Sequence, residues 1–249
     1  MEVCYLSSST FIRIGNVRIL IDIPIKLPSH IISYPSFEEE TIRHIHEVHE
    51  DQRSHVDWEL IDYIFISTVK GGLGLPLLHH TGFKGVIYAT VPVKEFLKLQ
   101  LEGYVFVQRL KRFKNSRSFE KDKLFTISDI NRCIQAVNSI HFFQQIQCSD
   151  IIVQPYSTGY SVGSANWHIK FHDLHIWFLG KSSFADRHPL PLSFLPRNTK
   201  HPDFAILGHK VLSDAYLLES LKQIAKVICK CSINCSRNYN KKRIHFFPA

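Results

Sequence analysis

Short runs of alternating or continuous apolar residues along this chain give way to segments with apolar residues every three to four positions, the mark of a mixed α/β fold. "FIRIGNVRILID" (11–22) sets Gly15 and Asn16 between two strand-like runs, and both residues tolerate positive φ, so a β-hairpin is predicted at the start. "LIDYIFIS" (60–67) reads as a buried strand, and "GVIYATVPV" (85–93) as another, closed by Pro92. "PVKEFLKLQLEGYVF" (92–106) reads as a helix. Ser128 and Asp129 stand where they would cap "INRCIQAVNSI" (130–140), whose Ile130, Ile134 and Val137 recur on one helical face. Strand patterns return in "DIIVQPY", "NWHIKF", "HIWFLG" and, after a proline-rich stretch, "DFAILG". Strands early and late around intervening helices predict an α/β sandwich of sheets with helices outside. "FEEETIRHIHEVHEDQ" (37–52) is helix-like in its charges, with a thin apolar face.

Composition narrows the class. A chain of 249 residues with 45% hydrophobic content supports one substantial core, and one main domain is expected. The start carries Glu2 in place of a basic region, and Asp22 interrupts the apolar stretch from Ile19 to Ile25, so neither a signal peptide nor a membrane span is read there. An intracellular protein with reduced thiols fits the six scattered cysteines, and "CKCSINC" (229–235) lacks the second pair that a zinc site needs. From Cys229 onward the periodicity still present in "YLLESLKQIAKVI" is lost, so a disordered basic tail is expected.

The net charge of +8 is placed unevenly. Arg109, Lys111, Arg112, Lys114 and Arg117 crowd a stretch with few strongly apolar residues, which reads as an exposed basic loop able to contact RNA phosphates or a protein partner.

Candidate chemistry is thin. On a helix, His44 and His46 of "HIHEVH" point about 200° apart, so these residues and His49 cannot close on one ion without leaving the helix. His79, His80, His172 and His175 lack a partnering pattern of carboxylates and read as satisfied surface or core residues. "DYIFISTVKGGLGLP" (62–76) carries a strand into a glycine-rich bend built like a catalytic loop, yet it holds no phosphate-binding Gly-Lys-Ser/Thr and, past the strand, no acid, histidine or cysteine.

The ordered set "ILID", "DYIFIS…LP", "GVIYAT-P", "STGYSVGSANW", "IWFLG" and "PDFAILG" resembles the metallo-β-lactamase fold of the β-CASP RNA-processing nucleases, over roughly residues 1 to 225. Active relatives carry His-x-His-x-Asp-His directly after the strand. Here the first two histidine positions fall on Thr68 and Lys70, and the distance to Leu75-Pro76 is two residues shorter. The histidine of a "GHxxG" loop corresponds to Tyr160 in "GYSVG", and the metal-bridging aspartate of a "TGDF" strand end corresponds to Lys181 in "LGKSS". Asp22 in "ILIDIP" matches the family's first motif, an aspartate that shapes the loop without binding metal. An ammonium in place of a bridging carboxylate repels divalent cations, so the resemblance implies no metal, no cofactor and no catalytic residue at these positions.

"HTGFKGVIYATVPV" and "STGYSVGSANWHI" are most similar to the silent, Integrator-type branch of that family, while "YATVPV" also resembles the silent branch of the polyadenylation cleavage machinery. The resemblance therefore implies a non-catalytic nuclear scaffold whose partner is an active metallo-endonuclease paralogue, with a hydrolase using other residues as the alternative. It implies a lactamase-like domain over 1–208, then the start of a truncated β-CASP-like segment and a basic tail over 209–249. In the family a β-CASP domain is inserted after the point corresponding to about Leu217, and the expectation here is an N-terminal portion whose missing late strands leave a sheet edge unpaired.

Overall fold

A computed structural model describes residues 1–6, 9–25, 57–114, 125–183, 193 and 202–208, with the side chains of 5, 6 and 108–114 outside the description. The chain divides into two compact units, Met1–Ser139 and Ile140–Ala249. The helix-like stretch 37–52 with its three histidines, the periodic segment 216–228 and the cysteine-rich tail lie outside the described residues.

The first unit holds a six-stranded sheet in the order β1 (Glu2–Leu6), β2 (Ser9–Ile14), β3 (Val17–Ile21), β4 (Tyr63–Ile66), β5 (Val86–Thr90) and β6 (Val137–Ile140). The predicted hairpin is present: β2 and β3 pair antiparallel through Gly15 at φ 58°, and β1 extends the pairing on the other side of β2. β3, β4 and β5 then run parallel, and the near-continuous apolar sequence of β4 suits a strand covered on both faces.

Two helices accompany this sheet, α1 (Val91–Lys114) and α2 (Ile127–Ala136). The core runs from Ile64, Ile66 and Ala89 of the sheet to Val93, Leu97 and Leu101 of α1 and Ile130 of α2, all fully buried.

Several boundaries differ from the sequence expectation, each for a local reason. Pro92 opens α1 rather than closing a strand, because a first-turn proline gives up an N–H that a helix start leaves unpaired anyway. Arg109, Lys111, Arg112 and Lys114 do not form a loop: they occupy the last turns of α1, where good helix formers continue without glycine or proline and positive charge suits the negative end of the helix dipole. Arg117 lies outside the described residues. The cap of α2 is Thr126, not Ser128-Asp129: its hydroxyl accepts from the Asp129 N–H at 3.3 Å, and the Asp129 carboxylate accepts the Thr126 N–H at 2.8 Å, a reciprocal capping box. α2 ends at Ala136, and Val137 leads into β6.

The second unit is built on a five-stranded sheet in the order β11 (Phe204–Leu207), β10 (Leu174–Leu179), β9 (Ala165–Phe171), β8 (Ile151–Ser157) and β7 (Ile146–Cys148). β10 and β11 run parallel and the other pairs antiparallel. Trp167, Ile169, Ile151, Val153 and Ile176 are fully buried along β8, β9 and β10.

Candidate functional site

The bend after β4 is shaped by Asp22, which leaves β3 at φ 62°, a left-handed conformation that short polar side chains tolerate. Its N–H donates to the Phe65 carbonyl at 3.0 Å, and its Oδ1 accepts the Ser67 N–H at 2.6 Å, so the ends of two parallel strands are joined through one residue. The neighbouring Ile23 N–H donates to the Gly71 carbonyl at 2.5 Å, and the Gly74 N–H returns a bond to the Ile23 carbonyl at 2.8 Å. The glycines follow from this contact. A Cβ on Gly71 would collide with the Asp22 carboxyl, and one on Gly74 would reach the Ile23 carbonyl. The "GGLG" run is the clearance that lets one loop close on another.

Two of the expected former ligand positions stand in this same loop. Thr68 Oγ1 accepts the Gly71 N–H at 3.0 Å, which commits one lone pair to the backbone. Lys70 is exposed at the start of a short 3₁₀ turn, Lys70–Gly72.

In the second unit, Tyr160 and Lys181 meet each other. The Lys181 ammonium lies over the exposed Tyr160 ring, 4.3 Å from its centroid, a cation–π contact. Hydroxyl groups surround the backbone here: the Tyr160 N–H donates to Thr158 Oγ1 at 3.2 Å, and Ser161 and Ser164 share a short hydrogen bond. Beneath them the fully buried Asn166 takes the Gly180 N–H on Oδ1 at 2.9 Å and donates through Nδ2 to Ser182 at 3.0 Å and Ser193 at 3.3 Å. Asn166 thus holds the segment that carries Lys181.

These side chains do not fit the two-metal centre that the resemblance supplies to active relatives. An ammonium cannot bridge two divalent cations, a phenol is a poor ligand at neutral pH, and the Thr68 hydroxyl is already engaged with the backbone. Among the described residues no three His, Cys, Asp or Glu side chains come together.

The model of the metallo-beta-lactamase superfamily domain matches residues 11–179, more than half of the chain. The chain belongs to the metallo-beta-lactamase superfamily. As a superfamily member it is similar to Integrator complex subunit 9 of Mus musculus, 27% identical over 175 residues that cover 61% of this chain and 26% of that protein. It is also similar to cleavage and polyadenylation specificity factor subunit 3 of Dictyostelium discoideum, 28% identical over 109 residues, 43% of this chain and 13% of that protein. Among solved structures, the metallo-beta-lactamase fold protein YhfI from Bacillus subtilis is matched over 80% of this chain and 62% of its own, at 13% identity and a TM-score of 0.45. The chain spans about a quarter of the length of the Integrator relative.

Other titratable groups of this superfamily member serve packing. His79 does have a carboxylate neighbour that its sequence context hid: Nε2 lies 3.6 Å from Asp129, within the α2 capping box. Burial pushes the Asp129 carboxyl up, but its bonds from Thr126 and the charges of His79 and Arg132 outweigh this and hold it below the usual range. In the second unit, His168 and His175 are buried, share a 3.0 Å ring–ring hydrogen bond and stack, and the Trp177 ring also stacks with His168. Burial, with His175 and Lys170, pushes His168 down to about 4, so His168 is neutral at physiological pH.

Asp22 has the opposite profile. Burial pushes its carboxyl up to about 7 against the bonds from Ser67 and Thr68. The unfolded carboxyl releases its proton near 4, so between there and 7 the folded chain holds a proton that the unfolded chain has lost. Stability from this group is full below about 4 and is lost as pH rises through 7. Asp22→Asn keeps an acceptor for the Ser67 N–H and removes the charge. It is expected to raise stability at pH 8 by roughly 2–4 kcal/mol and to flatten the profile between pH 4 and 7. Urea titrations at pH 5 and pH 8 check this, and an unchanged slope would show that Asp22 stays ionised in the fold.

Proposed function

We propose that this chain is a non-catalytic scaffold of the Integrator type, a pseudo-nuclease that works in the nucleus. It pairs with an active metallo-endonuclease paralogue and supports 3′-end processing of small nuclear RNA transcripts. The Tyr160–Lys181 contact carries the reading: a ring and an ammonium touch each other at the positions that the resemblance assigns to a histidine and a bridging aspartate. The closely set hydrogen bonds about Asp22 add support, since they account for the glycine-rich loop by packing alone. The basic end of α1, from Arg109 to Lys114, and Arg117 beyond it are the segment proposed to meet RNA or the partner.

Co-purification of the tagged full chain from nuclear extract tests this. Recovery of the Integrator nuclease supports it. Recovery of polyadenylation factors favours the second reading, a silent subunit of that machinery, to which the 109-residue similarity points. A soluble, folded protein that recovers neither overturns both. Metal-dependent hydrolysis by the purified chain would instead favour an enzyme using other residues.

A further inference from the structure

The two ends of the second unit's sheet differ in charge. One end holds all the described carboxylates of this unit: Asp150 directly before β8, Asp173 in the turn between β9 and β10, and Asp203 before β11, where its Oδ2 accepts the His175 N–H at 2.9 Å. Lys170, near the end of β9, stands among them. Lys181 follows β10 at the opposite end, roughly 20 Å away along the seven residues of β8. Among the described residues its ammonium is paired with no carboxylate, and it rests on the Tyr160 ring. That contact leaves N–H donors over for an anion.

Two aromatic rings are exposed at this same end. Tyr160, three residues past β8, is 41% exposed. Phe143, 52% exposed, lies in the turn before β7 beside the last residues of β8: its N–H donates to the Pro155 carbonyl at 2.9 Å, and the Gln154 side-chain amide donates to its carbonyl at 2.6 Å. The backbone of Phe143 is left-handed, at φ 66°, where a bulky residue is an outlier. Glycine would make the same two backbone bonds without strain, so they do not account for a phenylalanine there. The ring meets Tyr156 edge-on at 5.4 Å and still keeps about half of the residue in solvent.

An unbalanced cation beside exposed rings, on a sheet end without carboxylates, suits a single nucleic-acid strand, whose phosphates take an ammonium and whose bases stack on rings whatever their sequence. An acidic peptide would satisfy Lys181 and leave the rings unmatched, and a duplex keeps its base faces covered. The site is also held in shape, because the buried Asn166 binds Gly180 and Ser182 on either side of Lys181.

We infer that this end of the second unit binds single-stranded RNA, with Lys181 on a backbone phosphate and Tyr160 and Phe143 each against a base. The inference rests on the reading that Tyr160 and Lys181 hold no metal. Titration of the full chain with fluorescent oligouridine, and photo-crosslinking to a thiouridine-containing strand, test it. Adducts are expected on the peptides that carry Phe143 and Tyr160. Tyr160→Ser and Phe143→Gly should each weaken binding about tenfold, and Tyr160→Trp should retain it. Phe143→Gly suits the left-handed backbone, so its loss of binding should come with an unchanged circular dichroism spectrum. Lys181→Gln should lower the slope of log affinity against log salt by about 0.7, one phosphate contact on a single strand, and Lys170→Gln should leave that slope unchanged. Adducts confined to other segments such as 109–117, or binding indifferent to the Phe143, Tyr160 and Lys181 substitutions, would overturn the inference. Zinc content of the same sample separates the two failures: stoichiometric zinc overturns the metal-free reading, and a zinc-free chain that crosslinks only elsewhere overturns this inference alone.

Discussion

Gly71→Val is expected to destabilise the first unit by more than about 3 kcal/mol, a large fraction of the stability of an ordinary domain. The side chain would enter the space filled by the Asp22 carboxyl, and that carboxyl cannot move aside without releasing the Ser67 N–H it accepts at 2.6 Å. Backbone relief is closed as well, because the Gly71 carbonyl is bound by the Ile23 N–H. Gly71→Ala should follow the same course at lower cost, and pairing it with Asp22→Ser, which shortens the colliding group, should recover at least about 1 kcal/mol of the loss. Chemical denaturation of the four species gives the coupling. Additive losses would show that the two residues do not touch.

Asn166→Leu is expected to cost the second unit about 3 kcal/mol, although leucine has the same number of side-chain heavy atoms and the same branching. Asn166 is fully buried, and its amide satisfies the Gly180 N–H, Ser182 and Ser193 at once. Leucine offers none of these partners. Ser182 and Ser193 retain carbonyl acceptors in Gly180 and Ser157, but the Gly180 N–H is left without the oxygen it now bonds. The loss should extend beyond stability: the segment carrying Lys181 follows Gly180 directly, so amides at 180–183 should exchange faster with solvent in the variant, and equal protection would contradict the role given to Asn166.

The parts of this fold that were legible in the sequence are those whose signal is local. Gly15 between two apolar runs gives the hairpin, "YIFI" and "FAIL" announce buried strands by continuous apolar content, and "NWHIKF" announces one by alternation. β6 buries two positions and β7 one, so their patterns carry little to read. The charge density between Arg109 and Lys114 suggested a loop, whereas helix propensity prevails there because nothing interrupts it. Thr126 outcompetes Ser128 as a cap because its spacing to Asp129 completes both halves of the box.

The candidate site divides the same way. That Thr68, Lys70, Tyr160 and Lys181 are poor ligands for divalent metal is visible residue by residue. Contacts between distant segments are not: Asp22 reaches Ser67 across 45 positions, His79 reaches Asp129 only once α2 is packed, and Lys181 finds Tyr160 only when β9 and β10 pair. The glycines of "GGLG" read as a loop that lost its function until the structure places the Asp22 carboxyl where a side chain would stand.

The central claim is that this superfamily member has exchanged its metal-binding positions for side chains that refuse metal. Mass-spectrometric metal analysis of the purified full chain, equilibrated with zinc and then dialysed, tests it most directly. The account predicts well under one zinc, iron or manganese per chain, and no gain when Tyr160→His is introduced alone, because Thr68, Lys70 and Lys181 remain as they are. Two tightly held metal ions per chain would contradict it.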